Sequence, residues 1–479
     1  MGTDILAPAG RALLRRLIAD LPADEVSWQP ADLEAAGTDR SGVRLPGSPL
    51  AVVTPTSVDS VRSALRAAHA AGVTVVPRGA GSGLSGGAAA PDGALVLSTA
   101  RLDRILEIDP DDGVAVVQPG VVVADLDRAA ARHGLLYAPD PASHEIATVG
   151  GTIATNAGGL RCVKYGVTRD SILGLTVVLA DGSLLQTGRR TLKGVVGYDL
   201  TGLFVGSEGT LGVVVQATVR LLPRPARTRT AIAFFDSASA AAAAVTPIAR
   251  AGARPSALEL LDHGALRAID ETRGTDLAGR GRALLLAQVD GFGADEEIAV
   301  VADVLTLAGG RTELPDEAAA QRWFWLRRHG RGFGADRWLI GEDVAVPRSA
   351  VPAAIDHIER IAHRHGLDSA VVAHVGDGNL HPVLSAPRSP TDDRPPARLL
   401  AAADELVRAA LALGGTITGE HGVGIAKRPW LGAELDPSSI DLQRRLKQVL
   451  DPAGILNPHT WLGPVDENGS ADAHHSRAV

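Results

Sequence analysis

The chain is expected to be an α+β protein of two globular units. Short β-branched runs alternate with amphipathic stretches of helical spacing, a Pro/Arg-rich segment at 223–227 interrupts that alternation, and three glycine-rich loops crowd into the part before it. At 479 residues the chain is long enough for two or three domains with substantial cores.

Up to about Ala36 the sequence reads as a short helical lead-in, with Pro46 and Pro49 marking entry to the first unit. Strand, helix, strand follow: Ala51 to Pro55, the amphipathic stretch from Val58 to Ala71 stopped by Gly72, and Val73 to Val76. Further strands are expected at Ala94 to Ser98, Val114 to Gln118, Leu173 to Ala180 and Gly212 to Leu222. The Pro223–Arg227 segment cannot continue a strand and reads as a linker. Beyond it, strands at Ala231 to Phe235, Ser256 to Leu261, Ala283 to Val289, Trp338 to Val346, Ala370 to Val375 and Leu380 to Leu384 alternate with helices. Those helices fall near Ala238 to Ala251, Asp295 to Leu307, Asp316 to His329, Ser349 to His365 and Arg398 to Leu413, which suggests a sheet with helices on one face. The domains expected are a lead-in at 1–45, a first unit at 46–224, a second at 228–462 and a disordered polar tail at 463–479.

Composition narrows the function. Acidic residues outnumber basic ones, for a net charge of −8, and aromatic residues are only 3%, which argues against nucleic-acid binding. One cysteine, Cys162, excludes an internal disulfide, a cysteine-based zinc cluster and an iron–sulfur cluster held by this chain alone. No apolar run is long enough to span a bilayer, so a cytoplasmic protein is expected, with any membrane contact peripheral at the inner face.

Pro77 to Gly87 contains a formal G-x-G-x-x-G at Gly81, Gly83 and Gly86. A dinucleotide fingerprint needs a helix opening at the last glycine. Here Pro91-Asp92-Gly93 and another strand follow at once, so the loop is read as a concave nest of amides able to hold a pyrophosphate. Thr148 to Gly159 is small almost throughout, letting backbone lie flat against a ring system, and Gly206 to Gly212 is a third such loop.

The pattern with most chemistry is His374-Val375-Gly376-Asp377-Gly378-Asn379-Leu380-His381, followed by Gly419-Glu420-His421-Gly422. If the Gly-Asp-Gly-Asn loop closes a β-hairpin, Val375 faces Leu380 and His374 faces His381 on one side of the sheet. Two imidazoles so placed, with Glu420 as third ligand, make the open His2Glu set typical of catalytic zinc. His421 is then left for proton transfer. The alternative is a tight turn flanked by ordinary edge histidines.

Taken together, PRGAGSGLSGG at 77–87, TVGGTIATNAGG at 148–159, KYGVTRD at 164–170, GSEGTLG at 206–212, HVGDGNLH at 374–381, GEHGVG at 419–424 and LDPAGILNP at 450–458 resemble the vanillyl-alcohol oxidase type of flavoprotein. Within it they resemble the branch of FAD-linked D-2-hydroxyacid dehydrogenases, which includes cytochrome-type D-lactate dehydrogenase, the glycolate oxidase D subunit and D-2-hydroxyglutarate dehydrogenase. The resemblance implies a two-subdomain FAD-binding domain and an α+β substrate cap with an antiparallel sheet. It places Arg78, Gly79, Ala80, Gly81, Ser82, Gly83, Leu84 and Ser85 on the pyrophosphate. Pro141, Thr148, Gly150, Gly151, Ala154, Thr155, Asn156, Gly158, Gly159, Gly166 and Val167 would contact the cofactor, together with Glu208, Gly212, Val213 and Asn457.

Many relatives tether FAD through a histidine in the pyrophosphate loop. None lies between Pro77 and Gly87, so dissociable FAD is expected. Oxidising a 2-hydroxy acid needs a hydride acceptor, which flavin N5 supplies, and a polarised hydroxyl, which zinc or a similar divalent metal on His374, His381 and Glu420 supplies. The resemblance points to Arg328 for the substrate carboxylate, with Arg327 as immediate rival. Enzymes acting on 2-hydroxyglutarate hold the distal carboxylate with a lysine and an asparagine. Gly341 and Val383 stand there instead, and Glu342 would repel it. A small substrate such as D-lactate or glycolate is favoured. Quinone, cytochrome, electron-transfer flavoprotein or a partner subunit would each serve as acceptor, and a homodimer is compatible with the sequence. The rival readings are D-2-hydroxyglutarate dehydrogenase, a colourless zinc hydrolase and a catalytically idle relay subunit.

Overall fold

The structure, a computed structural model, describes residues 8–460 apart from 331, 333, 335, 390 and 393. The tail expected after residue 463 lies outside the described residues. Two compact units divide the chain. The first holds residues up to Ala157, Val167–Arg224 and the segment from His421; the second holds Gly158–Gly166 and Pro225–Glu420. This division is not the linear one at the 223–227 linker. A short glycine-rich segment is lent to the second unit, and the C-terminal segment returns to the first.

In the first unit, Ala51–Val53, Leu95–Ser98 and Val75–Arg78 run parallel as neighbours, with Val26–Ser27 antiparallel at one edge. A second sheet of five antiparallel strands has the order Ile105–Asp109, Val114–Val117, Val213–Arg220, Ile172–Val178 and Leu184–Gly188. The helix Val58–Ala71 starts where the Ser57 side chain accepts from Ser60 N and ends where Gly72 takes a left-handed φ of 61°. Its apolar stripe of Val61, Ala64, Leu65 and Ala68 packs on the first sheet in a core with Leu95, Leu97 and Val75. The C-terminal segment is stitched in by Leu456, which bridges to Val75, so the motif ending at Asn457 is part of this core.

The second unit is built on one antiparallel sheet. Its order is Arg311–Glu313, Thr228–Phe235, Ala283–Asp290, Ala257–Asp262, Asp368–His374, Asn379–Pro387 and Arg337–Gly341, and Val344–Ala345 also pairs with Asn379–Pro387. The run expected as one strand from Trp338 to Val346 is thus broken at Glu342-Asp343, two buried acids that a regular strand would not place there.

Helices cover both faces of this sheet, not one as expected. Ile232, Phe234, Leu261, Leu286 and Val372 pack with Leu266 and Ile269 of helix His263–Arg273 and with Trp323 and Leu326 of helix Glu317–His329. Ala231, Ala233 and Phe235 alternate with the first of these strand residues, so they point the other way, toward the side where helix Ala294–Leu307 packs. The helix His263–Arg273 gives only a short apolar signal in sequence, and its start is set by Asp262, whose carboxylate accepts from Ala265 N.

Candidate active site

The hairpin at 374–381 keeps a four-residue turn but shifts it one residue toward the N-terminus of where the sequence suggests. Asp377 N and Gly378 N both donate to His374 O, and Gly378 takes a φ of 91°, so the turn is Val375 to Gly378 and His374 pairs with Asn379. His381 pairs with Val372. The two histidines are therefore diagonal neighbours and not directly opposed. They still share a face, because residues two apart on a strand point the same way. Their rings stand edge to face at 5.1 Å between centroids.

Glu420 completes the cluster. Its Oε1 lies 3.4 Å from His374 Nε2 and 3.2 Å from His381 Nε2, and one ligand atom from each of the three residues falls within 4.8 Å of the others. The opposite nitrogen of each ring faces a second carboxylate: His374 Nδ1 is 2.6 Å from Glu259 Oε1, and His381 Nδ1 is 3.5 Å from Asp343 Oδ1. For His374 this is the hydrogen-bonded carboxylate backing common behind metal-ligating histidines, which fixes the tautomer and the ring, while Asp343 stands near His381 without a short bond to it. Asp343 also accepts from Thr418 Oγ1, Gly419 N and Glu420 N, holding the loop that presents Glu420. The donor set and its orientation fit a divalent cation such as zinc.

The electrostatics follow from this chain of alternating charges. Burial alone would lower the His374 pKa, but the Glu259 and Glu420 carboxylates outweigh it and raise it to about 10. Burial would raise Glu420, yet the His374 charge and the bonds to both histidines hold it well below the usual carboxylate range. Glu259, likewise fully buried, is kept low by Arg327 and His374. His381 is lowered, chiefly by burial against the pull of Glu420.

Arg327 and Arg328 separate clearly. Arg327 is 3% exposed and its Nε lies 2.5 Å from Glu259 Oε2, so it neutralises a buried carboxylate behind His374. Neighbours on a helix point about 100° apart, so Arg328 cannot share that inward direction. It is half-buried. Glu259 was not among the residues expected in the site. Its signal was one acid inside an apolar strand, Leu258-Glu259-Leu260-Leu261, where an unpaired charge would be too costly. Asp343 and Arg327 as structural partners were equally unexpected.

The segment Gly158–Gly166 belongs to this same unit. A Cβ on Gly158 would stand 2.7 Å from Glu420 Oε2, so the end of the second glycine stretch packs directly on a candidate ligand. Lys164 Nζ and Tyr165 OH anchor the segment at 2.5 and 2.8 Å from Asp290 Oδ1. Gly166 takes a φ of 79° and donates to Cys162 O, and Cys162 is half-buried.

In the first unit, the loop after strand Val75–Arg78 runs to strand Leu95–Ser98 with no helix between, as the proline at 91 predicts. Gly81 and Gly86 take φ values of 69° and 76°, turns that a residue with a side chain rarely adopts. Arg78 is a brace and not a free cation: its guanidinium donates to the carbonyls of Thr38 and Ala35 and lies where a side chain on Gly81 would be. The stretch read as able to lie against a ring system forms a short helix, Val149–Thr155, whose cap Thr148 accepts from Gly151 N and whose end is turned by Asn156 at φ 50°. A Cβ on Gly79 would meet Thr148 Oγ1 at 2.6 Å, so the first two glycine loops abut. Gly212 and Val213 sit in the core against Val177 and Val178. Asn457 Nδ2 donates to Gly87 O and Glu208 O, and the Glu208 carboxylate accepts from Val423 N and Gly424 N. Those two side chains are committed to protein contacts. No described helix is long and apolar enough to cross a membrane.

Comparison with known proteins matches residues 49–188 to the FAD binding domain family and residues 224–460 to the C-terminal domain of FAD linked oxidases. The glycolate oxidase subunit GlcD of Bacillus subtilis is 40% identical over 416 residues, 86% of this chain and 88% of its own. The D-2-hydroxyglutarate dehydrogenase of Xanthomonas citri pv. viticola is 37% identical over 457 residues, 91% of this chain and 94% of its own. The D-lactate dehydrogenase of Archaeoglobus fulgidus is 37% identical over 415 residues, 85% and 90% of the two chains. Among solved structures, p-cresol methylhydroxylase with substrate bound shares the fold at a TM-score of 0.77 and 19% identity, over 96% of this chain and 98% of that one.

Proposed function

This chain belongs to the D-2-hydroxyacid branch of the FAD-linked oxidases of vanillyl-alcohol oxidase type, and on that premise we propose that it oxidises a small D-2-hydroxy monocarboxylate such as D-lactate or glycolate to the 2-oxo acid. The observation that carries the reading is the convergence of His374 Nε2, His381 Nε2 and Glu420 Oε1, with Glu259 hydrogen-bonded behind His374. The cofactors, when bound, supply a hydride acceptor and a Lewis acid for the substrate hydroxyl.

The chain's own residues do the rest. His374, His381 and Glu420 hold the divalent cation, for which zinc suits the donor set. His421, next in sequence to a ligand, takes the hydroxyl proton at a ring nitrogen. Arg328 binds the substrate carboxylate as a planar fork, since Arg327 is already committed to Glu259. FAD is held without a covalent link. Electrons then pass to a separate acceptor, for which a partner protein is one candidate because the GlcD relatives are named as subunits.

Substrate size rests on two positions. Gly341 and Val383 are direct cross-strand partners, and Val383 lies two residues from His381, on the same face. Neither offers a cation or an amide to a second carboxylate. The test is to mix the oxidised protein anaerobically with D-lactate, glycolate and D-2-hydroxyglutarate and follow bleaching of the flavin. Fast bleaching by one of the first two and slow bleaching by the third is expected; the reverse order would overturn the substrate assignment.

A further inference from the structure

His421 is carried on a loop that the first unit grips with unusual completeness. Val423 N donates to Glu208 Oε1 at 2.7 Å and Gly424 N to Glu208 Oε2 at 2.8 Å, so one carboxylate takes both amides. From the other side, Ser85 O accepts from Ile425 N and Ala426 N at 2.9 and 3.0 Å. The Ser85 hydroxyl stands 3.0 and 2.8 Å from the carbonyls of His421 and Gly422, its proton shared between them. Gly424, at φ 50°, passes so close to Ser85 O that a Cβ would overlap it. Ile425 and Ala426 close the grip in a small apolar cluster with Val43 and Ala89.

Glu208 is itself held in a conformation that an L side chain rarely adopts. Among the described residues, only Asn156, Glu208 and Asn457 combine a side chain with a positive φ, and all three belong to this unit. Two of them touch: Asn457 Nδ2 donates to Glu208 O at 3.0 Å, while Glu208 N donates to Ala154 O at 2.8 Å. Backbone strain of this kind persists only where the surroundings over-determine it, and it gathers at functional sites. Glu208 is also only 8% exposed, and burial pushes its pKa up to about 7 against the pull of the two amides. A side chain kept at such cost, far in sequence from the loop it holds, has a positional task.

We infer that Glu208 is a positioning residue for His421, fixing the main chain of 422–424 to the flavin-binding unit, with Ser85 as its counterpart across the loop. This rests on the reading of His421 as the base. It reassigns both side chains from cofactor contact to placement of the proton acceptor. Reactive geometry is sensitive at this scale, since a displacement of about 1 Å can cost about 10²-fold in rate.

The test uses the full-length holoprotein and its variants Glu208→Ala, Glu208→Gln, Ser85→Ala, His421→Asn and the double variant Glu208→Ala/His421→Asn. FAD content, flavin reduction by D-lactate or by glycolate, and amide exchange across residues 421–426 are measured. Glu208→Ala is expected to keep FAD, exchange faster at 421–426 and reduce flavin about 10²-fold more slowly, through kcat and not KM. Glu208→Gln, which retains one acceptor oxygen, should fall between. Ser85→Ala should shift exchange in the same direction by less, and serves if Glu208→Ala does not fold. The double variant should be no slower than His421→Asn alone, because residues acting through one another are non-additive. Unchanged exchange in both Glu208→Ala and Ser85→Ala, or multiplied losses in the double variant, would overturn the inference. If His421→Asn alone reduces flavin at the parent rate, the base reading fails, and amide exchange by itself then decides whether Glu208 holds the loop.

Discussion

Glu259 and His374 face each other as directly paired residues on adjacent strands, with Glu259 Oε1 2.6 Å from His374 Nδ1. The sheet register itself therefore sets the imidazole with Nε2 toward Glu420. Arg327, bonded to the other carboxylate oxygen, makes a fully buried acid tolerable at that position.

Replacing Glu259 with Gln should weaken metal retention about 10- to 100-fold, the usual cost of losing the carboxylate behind a ligating histidine, while FAD stays bound. Competition against a chelator of known affinity measures this. Metal affinity equal to that of the parent would show that Glu259 serves packing alone.

Metal uptake should depend steeply on pH. In the metal-free protein His374 keeps its proton up to about pH 10, and a ligating imidazole must be neutral, so each bound ion has to displace that proton. Affinity should accordingly rise about tenfold per pH unit from neutrality toward pH 10 and flatten above it. Titrating zinc into weakly buffered protein near neutral pH should release about one proton per ion from this residue. An affinity that does not change with pH would mean that His374 is already neutral.

The two adjacent arginines should fail differently. Arg328→Met should leave the metal in place and lower kcat/KM for the hydroxy acid by roughly 10- to 100-fold, the worth of a charged hydrogen bond to substrate. Arg327→Met should instead destabilise the fold by about 3–5 kcal/mol, because it strands the Glu259 charge in the interior. Thermal unfolding together with steady-state kinetics separates these outcomes, and a stable but inactive Arg327 variant would exchange the roles.

Acid precipitation should leave FAD in the supernatant. The loop from Pro77 to Gly87 has no histidine to form a link, and Ser82 is no substitute for one. Flavin colour in the washed pellet would direct attention to Cys162.

Much of this protein was legible in its sequence. Glycine loops between strands, with proline ruling out a helix after the first, argued against a dinucleotide-fold loop, and the structure shows no helix there. The His-x6-His spacing with Glu420 named the three candidate ligands, because period-two alternation puts both histidines on one face in either register. What alternation cannot fix is the turn itself. The one-residue difference that pairs His374 with Asn379 came from two amides closing on His374 O, a choice made by local backbone geometry.

The sequence by itself determined the kinds of residue available and which stretches could be strands, helices or nests, since these depend on local propensity and spacing. Only the tertiary structure decided which polar groups meet: Glu259 with His374, Arg327 with Glu259, Asp343 with the Glu420 loop, and Glu208 with the loop after His421. These partners are 75 to 216 residues apart for the loop contacts and 68 to 115 for the others. Short-range patterns carry no information across such distances. The physical reason is that a buried charge must find a partner, and in a sheet of non-sequential strands that partner is supplied by whichever strand register and helix face the packing of the core brings alongside.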